Sequence, residues 1–337
     1  MAAVVRNGVQ LSWDLRRSAA AVLRMLAVAA AYFVSGRLGL LQQIVVADAK
    51  VTPLWPPTGI ALTCLLLLGV GIWPGIALGA FLVIVSISPL HPASFGIVAG
   101  NTLAPVAAYL MLRRAAFRLE LDRLRDGLAL VFLGALAGML ISATVGSGVL
   151  WLSGSVPGKE FLATWSAWWT GDAMGVLVVT PLLLALRAFR PPEEREPFDW
   201  VEPLALLAGT VGVTLVATNS SLGLLFLVFP VLIWAALRFQ LIGATPCVLV
   251  VSVLTIGAAV DHRGPFAHHG VLATMTILQA LNGSAALTGL LLSAIITEQQ
   301  GMYRRIEQAC IGLTRVVARL APGENGTHWP PPEDGGQ

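Results

Sequence analysis

Apolar runs close to the ~20 residues that carry a helix across a bilayer follow one another along nearly the whole chain, separated by short polar or proline-bearing breaks. Their positions predict spans at 20–38, 56–72, 74–89, 93–112, 127–152, 162–187, 200–218, 221–237, 240–260 and 271–297. The predicted fold is therefore an all-α integral membrane protein, a polytopic bundle of about ten transmembrane helices, with eight as the lower bound. Pro53, Pro56, Pro57, Pro74, Pro89 and Pro92 fall at these breaks, where a missing amide hydrogen costs least.

Two stretches depart from this pattern. Between Arg113 and Asp126, Phe117, Leu121 and Leu124 recur at helical intervals among arginines, which predicts a short helix lying on the inner leaflet. Beyond Ile296, Met302, Ile306, Cys310, Leu313 and Val317 recur every three or four residues before proline and glycine take over at Pro322. That pattern predicts an amphipathic helix and then a disordered end. The organisation expected is a cytoplasmic N-terminus at 1–19, a membrane domain at 20–297, a cytoplasmic amphipathic helix at 298–320 and a disordered tail at 321–337. The run from Ala19 to Val34, preceded by Arg16 and Arg17, is longer than a signal-peptide core and is followed by further spans, so it is read as the first membrane helix.

Composition strengthens the membrane reading: 56% of residues are hydrophobic and 12% charged, about half the charge of a soluble domain. The net charge of +3 would raise nucleic acid as a partner in a soluble chain, but here the basic residues act as topology signals. An N-in, C-in arrangement places seventeen of the 21 Lys and Arg on the cytoplasmic side and leaves Arg37, Lys50, Lys159 and Arg263 outside. No nucleic-acid role is expected. Cys64, Cys247 and Cys310 have no metal or disulfide spacing, and neither a metal nor a cofactor is implied.

Recognisable catalytic signatures such as a P-loop, G-x-S-x-G or H-E-x-x-H are missing from the sequence, so a non-enzymatic role is expected. The most informative polar position is Asp172, about ten residues into its helix. An ionised carboxylate at that depth costs several kcal/mol unless paired, protonated or in a wet cavity. It is read either as a ligand or proton site or as a hydrogen-bonded link between helices, with Arg37 as candidate partner unless that arginine snorkels to the interface. Trp168 and Trp169 lie deeper than an interfacial belt and are candidates for a cavity wall. Trp55, Pro56 and Pro57 open a span, as an interfacial anchor or a pocket mouth. Asn101 and Gln279 are polar groups inside spans, most simply interhelical hydrogen-bond partners. His91, His262, His268 and His269 fall in outer loops, without the regular spacing of a metal site.

The runs Leu54-Trp55-Pro56-Pro57-Thr58-Gly59, Trp73-Pro74-Gly75, Gly100-Asn101-Thr102-Leu103 and Trp168-Trp169-x-Gly171-Asp172-Ala173-x-Gly175, with the later Trp234-Ala235-Ala236-Leu237-Arg238-Phe239 and Leu287-Thr288-Gly289, resemble the bacterial membrane-associated sensor (MASE) domain of the first class. The resemblance covers about residues 20–300. It departs from the family where Ala104 and Pro105 follow Asn101-Thr102-Leu103, at a position that often carries Glu. The resemblance implies a sensory input module in the bacterial plasma (inner) membrane. It adds Arg238 to the candidate signalling residues. Such modules are usually fused to an output domain; none is recognised in this sequence, so a separate cytoplasmic kinase, phosphatase or cyclic-di-nucleotide enzyme is the expected partner, beside the lipid bilayer, an unknown small-molecule signal and, as a further arrangement, a homodimer. The alternative from another class is a small-solute, proton-coupled transporter, for which a midplane carboxylate and many spans would also suit.

Overall fold

The computed structural model describes residues 2–42, 44–46, 49–189 and 201–320. Ten α-helices appear among them: α1 (Ala2–Gly39), α2 (Pro56–Leu68), α3 (Trp73–Val85), α4 (Pro92–Arg114), α5 (Leu124–Ala129), α6 (Gly138–Leu152), α7 (Phe161–Ala188), α8 (Val201–Asn219), α9 (Val228–Val260) and α10 (Val271–Leu320). A π-helical segment, Leu130–Ala137, joins α5 to α6 without a break. The only strands among these residues are β1 (Ile44–Val46) and β2 (Ala49–Val51), an antiparallel hairpin between α1 and α2. The tail at 321–337 lies outside the described residues.

Among the described residues seven helical segments are long and apolar enough to cross a membrane: Arg17–Gly39, Pro92–Arg114, Leu124–Leu152, Gly158–Ala188, Val201–Asn219, Leu224–Val260 and Ala273–Val316. Two shorter apolar helices, Pro56–Leu68 and Val70–Val85, accompany them. Leucines such as Leu23, Leu152 and Leu204 are exposed, as side chains that face lipid tails should be. The helix of Gly158–Ala188 has 72% of its apolar window buried, against 28% for the first span and for Val201–Asn219. α7 is therefore the central column and α1 and α8 are peripheral.

Contacts at helix ends sort the bundle into two faces. Glu298 of α10 accepts from the amide of Leu124, and Gln240 of α9 donates to Gln300. Arg238 forms a two-pronged pair with Glu202 in the first turn of α8, at 2.7 and 2.8 Å. These residues share the face at which α4 ends in Arg113 and Arg114. At the opposite face Arg263, just beyond α9, donates to Asn219 at the other end of α8. α9 thus approaches one end of α8 at Arg238 and the other at Arg263. It reverses at Gln240, whose φ of 50° and ψ of −141° are non-helical, and the sequence break between 237 and 240 coincides with this reversal.

The segment 113–126 does not form the expected surface helix. Ala116 and Leu121 take left-handed φ angles of 53° and 50°, which a continuous right-handed helix excludes. Leu121 is buried and Phe117 packs on the core, while the amide of Arg118 donates to Asp126 at 3.2 Å. Helical spacing of three apolar residues was here the spacing of a folded loop.

Candidate functional site

The site begins with two glycines on α7. A methyl group on Gly171 would strike the carbonyl oxygen of Thr52, and one on Gly175 would strike the Trp55 carbonyl and the Thr58 hydroxyl. Their absent side chains let the backbone of residues 52–59 lie directly on α7. The amide of Trp55 donates to the Gly171 carbonyl at 2.9 Å. Thr58 directs its hydroxyl at the carbonyls of Trp55 and Asp172, at 2.8 and 3.0 Å, and Thr180 donates to Gly59 at 3.1 Å. The two most distinctive sequence runs are thus one joint, with Pro56 and Pro57 supplying the rigid first turn of α2.

Above this joint is a cavity of about 460 Å³, within the range of small-molecule pockets. Asp172 lies in its wall with 1% of its surface exposed. The Ser142 hydroxyl of α6 donates to its carboxylate, and the Trp168 indole, one turn earlier on α7, lies beside it in the wall. Trp55, Tyr32 and Asn101 complete the polar and aromatic wall. Exposed residues of the lining, Ser88, Pro89, His91 and Ser155, sit on the face opposite the arginine-rich end of α4. His91 also caps α4, accepting from the Ala93 amide.

Three polar atoms in this wall have no partner among the described residues: the Tyr32 hydroxyl, Asn101 Oδ1 and Thr164 Oγ1. All three residues are at least nine-tenths buried. Buried polar groups are nearly always satisfied, and three of the eight exceptions among the described residues lie in this wall.

Several sequence candidates stand elsewhere. Arg37 is not the partner of Asp172: it is exposed and donates to Ser86 at the end of α3, at 3.2 Å. Its position near the end of α1 lets the long side chain reach the surface, where its charge stays hydrated. Trp169 does not line the cavity. Successive helical side chains diverge by about 100°, so Trp169 turns to the π-helical segment and donates to the Leu136 carbonyl at 2.8 Å, stacked on Trp165. Arg238 is engaged with Glu202 on the far face, and Gln279 is half-buried on α10, outside the cavity wall. Tyr32, Ser142 and Thr164 were not singled out in the sequence, because one hydroxyl within an apolar run does not reveal which neighbour it faces.

The comparison that decides the family is a match of the MASE1 model to residues 24–300. The chain belongs to the MASE1 family. No curated protein and no solved structure matches it. MASE1 is a membrane-associated sensory domain, and the matched region contains the entire cavity and all the spans except the beginning of Arg17–Gly39 and the end of Ala273–Val316. The protein is accordingly a multi-pass membrane protein carrying a sensor domain, with lipid around its apolar exterior. The joint between Trp55-Pro56-Pro57-Thr58-Gly59 and Gly171-Asp172 gives the MASE1 match a physical content: these residues hold the floor of the cavity.

Proposed function

We propose that this MASE1 protein detects a small-molecule signal in the cavity around Asp172 and passes its occupancy to a separate cytoplasmic signalling protein, acting by binding and not by catalysis. The observation that carries this reading is the position of α7. One side of α7 forms the cavity wall at Thr164, Trp168 and Asp172, and the same helix meets α10 where Met174 lies 3.7 Å from the position a side chain would take on Gly283. α10 then continues beyond Glu298 as one helix and presents Tyr303, Ile306 and Leu313 exposed. That stripe is the surface offered to the partner protein. A signal requires two arrangements of α7 and α10 with different affinities for the ligand.

In this reading the reversal at Gln240 makes α9 two crossings. With the two short helices α2 and α3 as a further pair, the chain makes ten passes in an N-in, C-in arrangement within a bacterial inner membrane, and the cavity opens outward. Crosslinking and recovery of the full-length protein from its native membrane, compared with a version ending at Thr297, tests the relay. A signalling protein recovered only with the intact tail is the expected result; equal recovery with both versions overturns it, and a crosslink through Cys310 alone would identify the tail's partner as a second copy. The buried carboxylate in an outward cavity also suits a proton-coupled transporter, for which solute uptake into vesicles abolished by Asp172→Asn is the distinguishing result.

A further inference from the structure

The chemistry of the cavity wall limits what it can hold. Among its described residues Asp172 is the only carboxylate, and there is no lysine or arginine. Arg37 is turned to Ser86. A buried carboxylate with no counter-cation is disfavoured as the anion, and either takes up a proton or meets a cation. One unsatisfied atom suits the same charge: Asn101 Oδ1 is an acceptor only, while the Tyr32 and Thr164 hydroxyls can accept or donate.

From these observations we infer that the cavity is a site for a small primary ammonium compound with an apolar body, the ammonium facing Asp172 and Asn101. A primary ammonium has three N–H donors and no acceptor, which matches a wall offering a carboxylate and unpaired oxygens. Trp55 and Trp168 line the same space, and indole faces attract cations. The remainder of the wall, including Val83, Ile84, Ile97 and Leu150, is aliphatic and gives the apolar body its place. An anionic ligand would meet Asp172 with no described lysine or arginine to hold it, and His91, the imidazole of the wall, has its Nδ1 accepting from the Ala93 amide. A neutral ligand would leave the carboxylate to be neutralised by a proton. This inference rests on the sensory reading of the cavity but fixes the ligand class, which that reading leaves open.

The test uses the full chain in lipid nanodiscs and three probes of matched shape: 2-phenylethylammonium, 2-phenylethanol and 3-phenylpropanoate. Calorimetric titration is expected to give the ammonium a Kd at least about tenfold below those of the other two. Asp172→Asn, which keeps the shape of the side chain, should raise the ammonium Kd by about tenfold or more and leave the alcohol unchanged. Should that variant fail to assemble, Asn101→Ala removes the unpaired acceptor and should weaken the ammonium by about fivefold. Equal or tighter binding of the alcohol or carboxylate would overturn the assignment while leaving the cavity a ligand site. Binding of none of the three also overturns it. The tail-dependent recovery described above uses no added probe, so the relay stands or falls separately.

Discussion

The Thr58 hydroxyl lies 2.8 Å from the carbonyl of Trp55 and 3.0 Å from that of Asp172. A single proton is thus shared between the entry to α2 and the residue that carries the buried carboxylate. Any movement of α2 along α7 has to break this arrangement, together with the Trp55 to Gly171 bond at 2.9 Å. The floor of the cavity and the position of Asp172 are mechanically one unit.

Gly175→Ala tests that unit. The added methyl has no room beside the Trp55 carbonyl and Thr58, and backbone cannot rotate away as a flexible side chain would. A loss of about 1–3 kcal/mol is expected, read as a lower midpoint of thermal unfolding in nanodiscs. Gly209→Ala on α8, where nothing lies within 4 Å of the new methyl, should be neutral or slightly stabilising, since alanine favours helix over glycine. Equal effects from the two substitutions would show that α2 does not rest on α7 as described.

Ser142→Ala removes the hydroxyl that donates to Asp172 from α6 and leaves the Trp168 indole beside it. Destabilisation by about 1–3 kcal/mol is expected for a buried charged acceptor deprived of a donor. In the double variant with Asp172→Asn the loss should be smaller than the sum of the two single losses, because both act on one bond. Strict additivity in a double-mutant cycle would show the two residues to be uncoupled.

The neighbouring tryptophans should separate cleanly. Trp169→Phe deletes the donor to the Leu136 carbonyl inside the π-helical segment, where the altered ladder frees backbone acceptors; it should lower stability by about 1–3 kcal/mol with probe binding retained. Trp168→Phe removes a side chain that lines the cavity and meets Asp172, and should weaken ammonium binding. Titration and thermal unfolding of both variants provide the comparison, and a reversed pattern would exchange the roles given to them.

Cysteine accessibility checks the two faces. In a variant with Cys64, Cys247 and Cys310 replaced, single cysteines at Gln240 and Arg125 should react with a membrane-impermeant maleimide only from the cytoplasmic side. Cysteines at Ser155 and Arg263 should react only from the outside. Labelling of Gln240 from the outside would mean that α9 does not turn back at that residue in the proposed orientation.

The helical bundle was legible because a bilayer imposes length and apolarity on each segment, and even the reversal in α9 showed as Arg238 and Gln240 interrupting an apolar run. The site was legible only in part. Asp172 stood out because a charge in an apolar helix is costly, Trp168 because it lies deeper than an interfacial belt, and Trp55 because it opens a span beside two prolines. Tyr32 and Ser142 did not, since their importance comes from helices distant in sequence. Arg37 was left between Asp172 and the interface because its reach allowed both, and its bond to Ser86 selects the second. The 113–126 segment was misread because spacing alone does not register left-handed turns at Ala116 and Leu121.

The uninterrupted length of α10 has a mechanical consequence. At 1.5 Å per residue, the stretch from Glu298 to Leu320 projects roughly 33 Å beyond its contact with the Leu124 amide. Such a rod is a lever with its fulcrum at that contact. A tilt of about 5° would carry its far end through roughly 3 Å and the Gly283 end, on the α7 side of the contact, through roughly 2 Å the other way.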